Sequence, residues 1–123
     1  QRATPRGIYV SSYQSTSTRR PLKTTVSAFV YIKPTEGTSY TSSSFSNQCI
    51  GVTNAGLIRG GYHFAHPDLS SGATQANYFL AHGGGWSADD ITPPGALDIE
   101  HNPSDNECYG YTASSMVSWI KSF

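Results

Sequence analysis

The stretch Leu57-Ile58-Arg59-Gly60-Gly61-Tyr62-His63-Phe64-Ala65, closed by Pro67, decides the fold of this chain. Its branched and aromatic residues predict a strand, and the proline ends it. Residues 70–72 (Ser-Ser-Gly) then lead into a helix predicted from about Ala73 to His82. Its apolar face consists of Ala73, Ala76, Phe79 and Leu80. A strand followed directly by a helix is the repeating unit of a parallel sheet.

The same alternation continues on both sides of this unit. Strands are predicted at residues 7–11, at 28–33 before Pro34, and at 96–99. Helices are predicted at 43–55, ended by Gly56, and after Thr112 or Ser114, either of which can cap the last helix. Residues 12–24 indicate only a weak helix or a loop. The pattern predicts one α/β domain of four βα units, a parallel sheet and right-handed crossovers.

Two acids stand at the end of the fourth strand, in Leu97-Asp98-Ile99-Glu100. On a strand, positions i and i+2 point to one face, roughly 6.5–7 Å apart. Such a pair suits acid/base work on a sugar bond. The alternative is a strand end whose acids are solvated or bind backbone and arginine partners. Polar residues also mark the ends of the other predicted strands, which favours a shared site at one end of the sheet: Ser11, Tyr13, Glu36, His63 and His66.

The composition excludes several classes of protein. The formal net charge of the 123 residues is 0, so we expect neither nucleic acid nor a membrane as partner. A surface rich in Ser, Thr, Gly and Tyr favours a secreted, extracellular protein. His63 and His66 lack zinc-ligand spacing, so we interpret them as site-lining or hydrogen-bonding residues and expect no metal. The Gly83-Gly84-Gly85 run predicts a loop and lacks the pattern of a phosphate cradle.

Three segments together resemble a known family. They are residues 32–38 (IKPTEGT), residues 54–65 (NAGLIRGGYHFA) and residues 97–100 (LDIE). In order and spacing they are similar to the Chalaropsis-type lysozymes, glycoside hydrolase family 25, and most of all to its fungal branch. The similarity runs from about residue 28 to the end. Before that point it is confined to Gly7 and residues 12–14 (Ser-Tyr-Gln).

The resemblance implies a modified TIM-like barrel, of which residues 1–123 would form a partial catalytic domain: a half barrel of about four βα units. It implies a secreted, antimicrobial lysozyme that cleaves the β-1,4 bond between N-acetylmuramic acid and N-acetylglucosamine in peptidoglycan, without a cofactor. Glu100 would be the proton donor, its pKa raised by burial and a neighbouring carboxylate. Asp98 would orient the substrate or stabilise positive charge on the sugar. The expected substrate-binding residues are Glu36, Tyr62, Tyr9, His63 and Phe64.

The chain departs from the family pattern in three respects. The family opens with D-x-S, and Tyr9 stands where its aspartate is expected. About four βα units would leave strand edges open, which predicts a homodimer, a supporting chain or a fragment of a longer lysozyme. Cys108 matches a family cysteine whose partner lies further along the family barrel, so we expect no bridge to Cys49. These departures keep a second function open, a non-catalytic glycan-binding or antimicrobial protein on the same scaffold.

Several aromatic and histidine residues have structural alternatives to a functional role. Tyr62 and Phe64 could be core aromatics, and His66 before Pro67 could cap a loop. Trp86 could stack on a sugar or anchor the loop that follows the glycines. Trp119, with Ile120 and Phe123, is expected to serve helix packing or an interface and not a ligand site.

Overall fold

The computed structural model describes residues 6–12, 27–102 and 108–123. The described strands are β1 (Arg6–Val10), β2 (Ser27–Glu36), β3 (Tyr40–Thr41), β4 (Ile58–Phe64) and β5 (Ala96–Asp98). The described helices are α1 (Phe45–Asn54), α2 (Gly72–Phe79) and α3 (Ala113–Ser122). A π-helical turn, Leu80–Gly84, follows α2. The weak helix or loop predicted at residues 12–24 lies, from Tyr13 onward, outside the described residues, as does Tyr13 itself.

The four parallel strands form a half barrel, as predicted. They pair in the order β1-β2-β4-β5, and the short β3 pairs antiparallel with the end of β2. Each parallel strand after β1 therefore lies beside the parallel strand that precedes it in the sequence, which is the arrangement of a βα barrel. None of the helices among the described residues has the length and apolar character needed to cross a membrane.

The prediction that Pro34 ends the second strand is wrong, because β2 continues to Glu36. A register shift between Ile32 and Thr35 interrupts the pairing of β2 with β4 around the proline. A strand tolerates proline at such an irregularity, since no ladder hydrogen bond is required there. The extra residues carry Thr35 and Glu36 to the carboxyl end of the sheet.

One face of the sheet is covered by helices and forms the core. Val10 of β1 and Val30 and Ile32 of β2 form a buried cluster there with Cys49 and Val52 of α1 and with Leu57, which precedes β4. Buried Gln48 on α1 donates from Nε2 to the carbonyl oxygen of Ser11, 2.6 Å away, and so fixes the end of β1. Cys49 lies in this core, whereas Cys108 is exposed.

The helices α2 and α3 cover β4. Phe79, Trp119 and Phe123 stack with ring centroids about 6 Å apart, and the Trp119 indole donates to the carbonyl oxygen of Ser70 at 2.9 Å. Trp119 is thus a packing residue. Ser71 and Thr112 cap the two helices through hydrogen bonds from the backbone N–H groups of Thr74 and Ser115.

The opposite, inner face of the sheet carries aromatic and charged side chains. Because side chains alternate along a strand, Tyr9, Tyr31 and Tyr62 point away from the helix-covered core. The Tyr31 ring lies over Gly60, where a Cβ atom would approach it to 2.7 Å. The inner face therefore needs glycine at this position. The candidate site lies on the same face of the sheet.

Candidate active site

An open cleft of about 450 Å³ lies at the carboxyl end of the half barrel. It is lined by Tyr9, Tyr62, Leu97, Asp98 and Glu100. The strands β1, β4 and β5 supply the first four of these residues, and Glu100 follows two positions after the end of β5. Parallel strands bring distant parts of a sequence together at this end of a barrel, where catalytic residues gather.

The two acids of the D-x-E motif meet in this cleft. Asp98 is the last residue of β5 and pairs in register with Phe64, and its carbonyl oxygen accepts the N–H of Ala65 at 2.9 Å. Glu100 lies beyond the strand and is exposed. Partial burial, and then the nearby Glu100 carboxylate, raise the pKa of Asp98, and the positive charge of Lys33 opposes this rise.

Tyrosines form the wall opposite the acids. The Tyr9 ring is 63% exposed, stacks on Tyr31 at 5.6 Å and meets the edge of Tyr62 at 5.3 Å. Burial, followed by the negative charges of Asp98 and Glu100, raises the pKa of Tyr62 to about 12. Its phenol therefore stays protonated at neutral pH and can donate a hydrogen bond in the cleft.

Glu36 lies at the end of β2, beside the cleft, and both of its carboxylate oxygens have partners. Lys33 Nζ donates to Oε1 at 2.8 Å, and His66 Nε2 lies 3.0 Å from Oε2. Partial burial disfavours the charged form of Glu36, but the two hydrogen bonds and the nearby positive charges outweigh it, so its pKa lies below the ordinary value. Glu36 is thus held as a carboxylate by its own neighbours.

His63 does not reach the cleft, contrary to the expectation that it binds substrate. It is fully buried on the helix side of β4, because it is adjacent to Tyr62, which faces the cleft. Its Nδ1 is 2.7 Å from Thr35 Oγ1 and its Nε2 is 3.0 Å from Gln75 Oε1. Burial lowers the pKa of His63, so the ring is a neutral, hydrogen-bonded core residue.

Phe64 and His66 lie beside Glu36, Phe64 against Lys33 and His66 on the carboxylate itself. The Phe64 ring is half-buried, 5.5 Å from the His66 ring and 5.3 Å from Lys33 Nζ. The backbone N–H of His66 donates to Gln75 Oε1 at 3.1 Å, which ties the loop after β4 to α2. Among the described residues no three His, Cys, Asp or Glu side chains are grouped as a metal site would require.

Trp86 lies at the other end of the sheet. Its ring is 62% exposed and shares a shallow groove with Ile58, the first residue of β4. It therefore does not line the cleft that holds Asp98 and Glu100.

Comparison with known proteins decides the family. A sequence profile described as Glycosyl hydrolases family 25 matches residues 8–123. The chain belongs to glycosyl hydrolase family 25. Among proteins of this family, it is 54% identical to the N,O-diacetylmuramidase of a Chalaropsis species, over 98% of the chain and 58% of that protein. It is also 51% identical to an N,O-diacetylmuramidase of Arthroderma benhamiae, over 95% of the chain and 49% of that protein.

Solved structures of family 25 share the fold. A muramidase from Acremonium alcalophilum superposes with a TM-score of 0.91 at 52% identity, over 98% of this chain and 58% of that one. A lysozyme from Streptomyces coelicolor superposes with a TM-score of 0.90 at 48% identity, over 100% and 57%. The chain spans less than three fifths of the length of each of these relatives.

Two polar residues of this family 25 site were missed by the sequence reasoning, Lys33 and Gln75. The position of Lys33 within the apolar strand of residues 28–33 could have indicated a charged partner nearby, since a buried lysine is almost always paired. Gln75 gives no such signal, because a glutamine within a helix is ordinary. It is fully buried and links His63 and His66 through its side-chain amide.

Proposed function

We propose that this chain carries the acid pair of a secreted lysozyme that hydrolyses the β-1,4 bond between N-acetylmuramic acid and N-acetylglucosamine in peptidoglycan. The observation that carries the proposal is the shared cleft of Asp98 and Glu100 at the carboxyl end of a family 25 half barrel. Most glycosidases use two carboxyl groups, one on each side of the bond that they cleave, as their catalytic groups. The names of the muramidase and lysozyme relatives support the same reaction.

In the proposed mechanism Glu100 is the general acid. Its carboxyl group donates a proton to the glycosidic oxygen as the bond to the anomeric carbon breaks. Asp98, as a carboxylate beside the anomeric carbon, orients the substrate or stabilises the positive charge that develops on the sugar ring. Water then adds to the anomeric carbon and gives up a proton, which restores the carboxyl group of Glu100. The chemistry needs no cofactor.

Aromatic residues would hold the sugar in place. The exposed face of Tyr9 offers a flat apolar surface, and the protonated Tyr62 phenol offers a donor beside the acids. We propose both as substrate-binding residues, with Glu36 and Phe64 at the edge of the cleft. This division assigns substrate binding to residues of β1, β2 and β4, and bond cleavage to Asp98 at the end of β5 and to Glu100 just after it.

Residues 1–123 are proposed to be the amino-terminal part of a catalytic domain. The support is the extent of the match, which covers nearly all of this chain but 58% of the Chalaropsis and Acremonium proteins. An extracellular location and an antimicrobial role follow from the proposed substrate, which is a bacterial cell wall.

A second function, glycan binding without hydrolysis, is favoured by one observation. Tyr9 occupies the cleft, whereas the family's D-x-S pattern has an aspartate there. A missing carboxylate weakens catalysis, while an aromatic ring in its place adds a binding surface. The chain would then bind amino-sugar polymers without hydrolysing them.

The test is the chemistry of the product. Purified peptidoglycan is incubated with the chain, reduced with borohydride and analysed by mass spectrometry. Lysozyme activity predicts new reducing ends at N-acetylmuramic acid. New ends at N-acetylglucosamine would contradict the proposed bond, and tight binding without any new ends would establish the glycan-binding alternative.

A further inference from the structure

A closed ring of polar side chains runs through the sheet beside the cleft. Thr35 Oγ1 is 2.7 Å from His63 Nδ1, and His63 Nε2 is 3.0 Å from Gln75 Oε1. Gln75 binds the backbone of His66, and His66 Nε2 is 3.0 Å from Glu36 Oε2. The ring closes because Thr35 and Glu36 are consecutive residues of β2. Since consecutive residues of a strand point to opposite faces, the ring connects the helix-covered face of the sheet with the face that carries the cleft.

Gln75 is the central member of this ring and is fully buried on α2. Its side-chain amide binds His66 at two points. Oε1 accepts the His66 N–H at 3.1 Å, and Nε2 donates to the His66 carbonyl oxygen at 2.7 Å. Nε2 also lies 3.0 Å from Ser70 Oγ. A buried amide that uses both its donor and its acceptor in this way holds the two peptide groups that flank His66, so the path of the loop after β4 is fixed.

The direction of each buried hydrogen bond in the ring follows from the backbone. Because the His66 N–H can only donate, the Gln75 atom that faces it is the amide oxygen. The same oxygen faces His63 Nε2, which therefore carries a proton and donates it. His63 Nδ1 is then an acceptor, and the Thr35 hydroxyl donates to it. Burial lowers the pKa of His63 and keeps its ring neutral, as this arrangement requires.

The ring ends on the carboxylate of Glu36, whose orientation is set by two donors. His66 Nε2 binds Oε2, and Lys33 Nζ donates to Oε1 at 2.8 Å. A carboxylate has about four acceptor positions, so these two hydrogen bonds leave about two of them for other donors. The Glu36 side chain is 30% exposed, so a ligand can approach it. Glu36 is therefore an oriented acceptor that still has capacity for a ligand.

Glu36 lies in one row with Asp98 across three strands. Glu36 pairs in register with Phe64, and Phe64 pairs in register with Asp98. Register partners point to the same face of a sheet, and Phe64 shares its face with Tyr62 of the cleft, two residues earlier. Neighbouring strands are about 4.8 Å apart, so the Cα atoms of Glu36 and Asp98 are about 10 Å apart. A sugar bound beside Asp98 therefore has the carboxylate of Glu36 on the same face of the sheet.

We propose that His66 is a positioning residue: clamped by Gln75, it holds Glu36 as a fixed acceptor for the hydroxyl or acetamido N–H groups of an amino sugar in the cleft. The identity of the sugar rests on the proposed function, whereas the coupling from Gln75 through His66 to Glu36 does not. Such pre-organisation strengthens binding, because the acceptor does not have to be ordered when the sugar arrives.

The test uses His66→Phe, which removes the donor and keeps a ring, and Gln75→Met, which removes the clamp and keeps an unbranched side chain. Gln48→Met is the matched control, because Gln48 is also a fully buried glutamine on a helix but binds the end of β1. Carboxyl-carbon NMR follows the titration of Glu36, and backbone NMR spectra verify the fold. Affinity for a tetrasaccharide of alternating N-acetylglucosamine and N-acetylmuramic acid is measured with Glu100→Gln present in every variant, so that the glycan is not cleaved.

The proposal predicts that Glu36 titrates at higher pH in both variants, since a hydrogen bond to its charged form is lost or weakened. The tetrasaccharide should bind about five- to tenfold more weakly. Added to Glu36→Gln, either substitution should change the affinity by less than about twofold, because both act through this carboxylate. Gln48→Met should leave the titration of Glu36 unmoved.

An unmoved Glu36 titration in folded His66→Phe or Gln75→Met would overturn the proposal, and so would an equal shift in Gln48→Met. An undiminished effect of His66→Phe on affinity in the Glu36→Gln background would also overturn it. His66 is partly exposed, so His66→Phe decides the matter where Gln75→Met does not fold.

Failure of the proposed function has a different signature. Binding of the tetrasaccharide by the unmodified chain without any hydrolysis would refute lysozyme activity and leave the role of His66 intact. A shifted Glu36 titration without tetrasaccharide binding in any variant would overturn the role of Glu36 as a sugar acceptor and retain its coupling to Gln75.

Discussion

Tyr9 stands in the cleft wall, within a stack of tyrosines and opposite two acids. Its ring is exposed, so the wall presents an aromatic surface where an aspartate would present a carboxylate. This one residue bears on both candidate functions, because an aromatic ring favours sugar binding and a carboxylate favours bond cleavage.

We expect Tyr9→Asp to raise the rate of peptidoglycan hydrolysis by about tenfold or more, since a positioned carboxylate in a glycosidase cleft contributes on this scale or above. Tyr9→Phe is the control, because it keeps the stacked ring and should leave the rate unchanged. Release of soluble reducing sugar measures both. A lower rate in Tyr9→Asp with weaker glycan binding would instead assign the ring itself to substrate binding.

The assignment of cleft residues from sequence succeeded where strand alternation was respected. Asp98 and Glu100, two apart, both line the cleft. Tyr62 and His63 are adjacent on β4, so their side chains point to opposite faces of the sheet, and the period of two already favoured one of them over the other for the cleft. The partners of His63 were beyond prediction, because Gln75 reaches it from a helix twelve residues away.

At the scale of the elements, the periodicity of apolar residues did not predict where α2 ends. The predicted helix reached His82, but the α-helix ends at Phe79 and a π-helical turn follows, in which His82 and Gly83 depart from helical angles. Gly83 has φ of +109°, a conformation that a side chain would strain. Apolar spacing identifies the buried face of a helix but not a change in its winding.

The contact between α2 and α3 depends on Gly72. A Cβ atom there would collide with the Trp119 carbonyl oxygen and Ser122 Oγ, and would lie 2.7 Å from the Phe123 nitrogen. We expect Gly72→Ala to lower the free energy of unfolding by about 1–3 kcal/mol through overpacking. Urea unfolding followed by tryptophan fluorescence measures the change.

Gly51 provides the matched control, because it lies inside α1 with nothing within 4 Å of an added Cβ. Gly51→Ala should raise the free energy of unfolding by about 0.5–1 kcal/mol, the usual gain in a helix interior. Equal effects of the two substitutions would contradict the close packing of α2 on α3.

At the scale of the whole molecule, the order of strands and helices could be predicted because each unit is local, a run of β-branched and aromatic residues followed by an amphipathic helix. Their assembly into a parallel half barrel follows from the handedness of βα connections. The extension of β2 past Pro34 could not be predicted, since it depends on a register shift against β4. The Lys33–Glu36–His66 network depends on that extension.

The stability of the whole domain should fall in acid through Glu36. Its pKa is lower in the folded chain than its ordinary value of 4.5, so its contribution is complete above that pH and is lost as the pH falls below it. Urea unfolding between pH 7 and pH 3 should show Glu36→Gln less stable than the unmodified chain at pH 7, with the difference shrinking below about pH 4.5. A difference that is constant with pH would contradict the ionised state of Glu36.

Residues 1–123 prepared alone should self-associate. Among the described strands β1 and β5 each pair on one side, and α3 exposes Val117 and Ile120 at 49% and 43%. Open edges and exposed apolar faces favour pairing with a second copy. Sedimentation equilibrium should report twice the monomer mass of 13.2 kDa at micromolar concentration, and a monomer at all concentrations would refute the homodimer.

The effect of Glu100→Gln on peptidoglycan hydrolysis tests the role of Glu100 as proton donor most directly. The substitution removes the donated proton and keeps the size of the side chain, so we predict loss of clearing by at least about 100-fold with unchanged sedimentation on the glycan. Asp90→Asn, an exposed carboxylate beside Trp86 at the other end of the sheet, is the control and should clear normally. Clearing by Glu100→Gln at the rate of the unmodified chain would contradict the assignment of the proton donor.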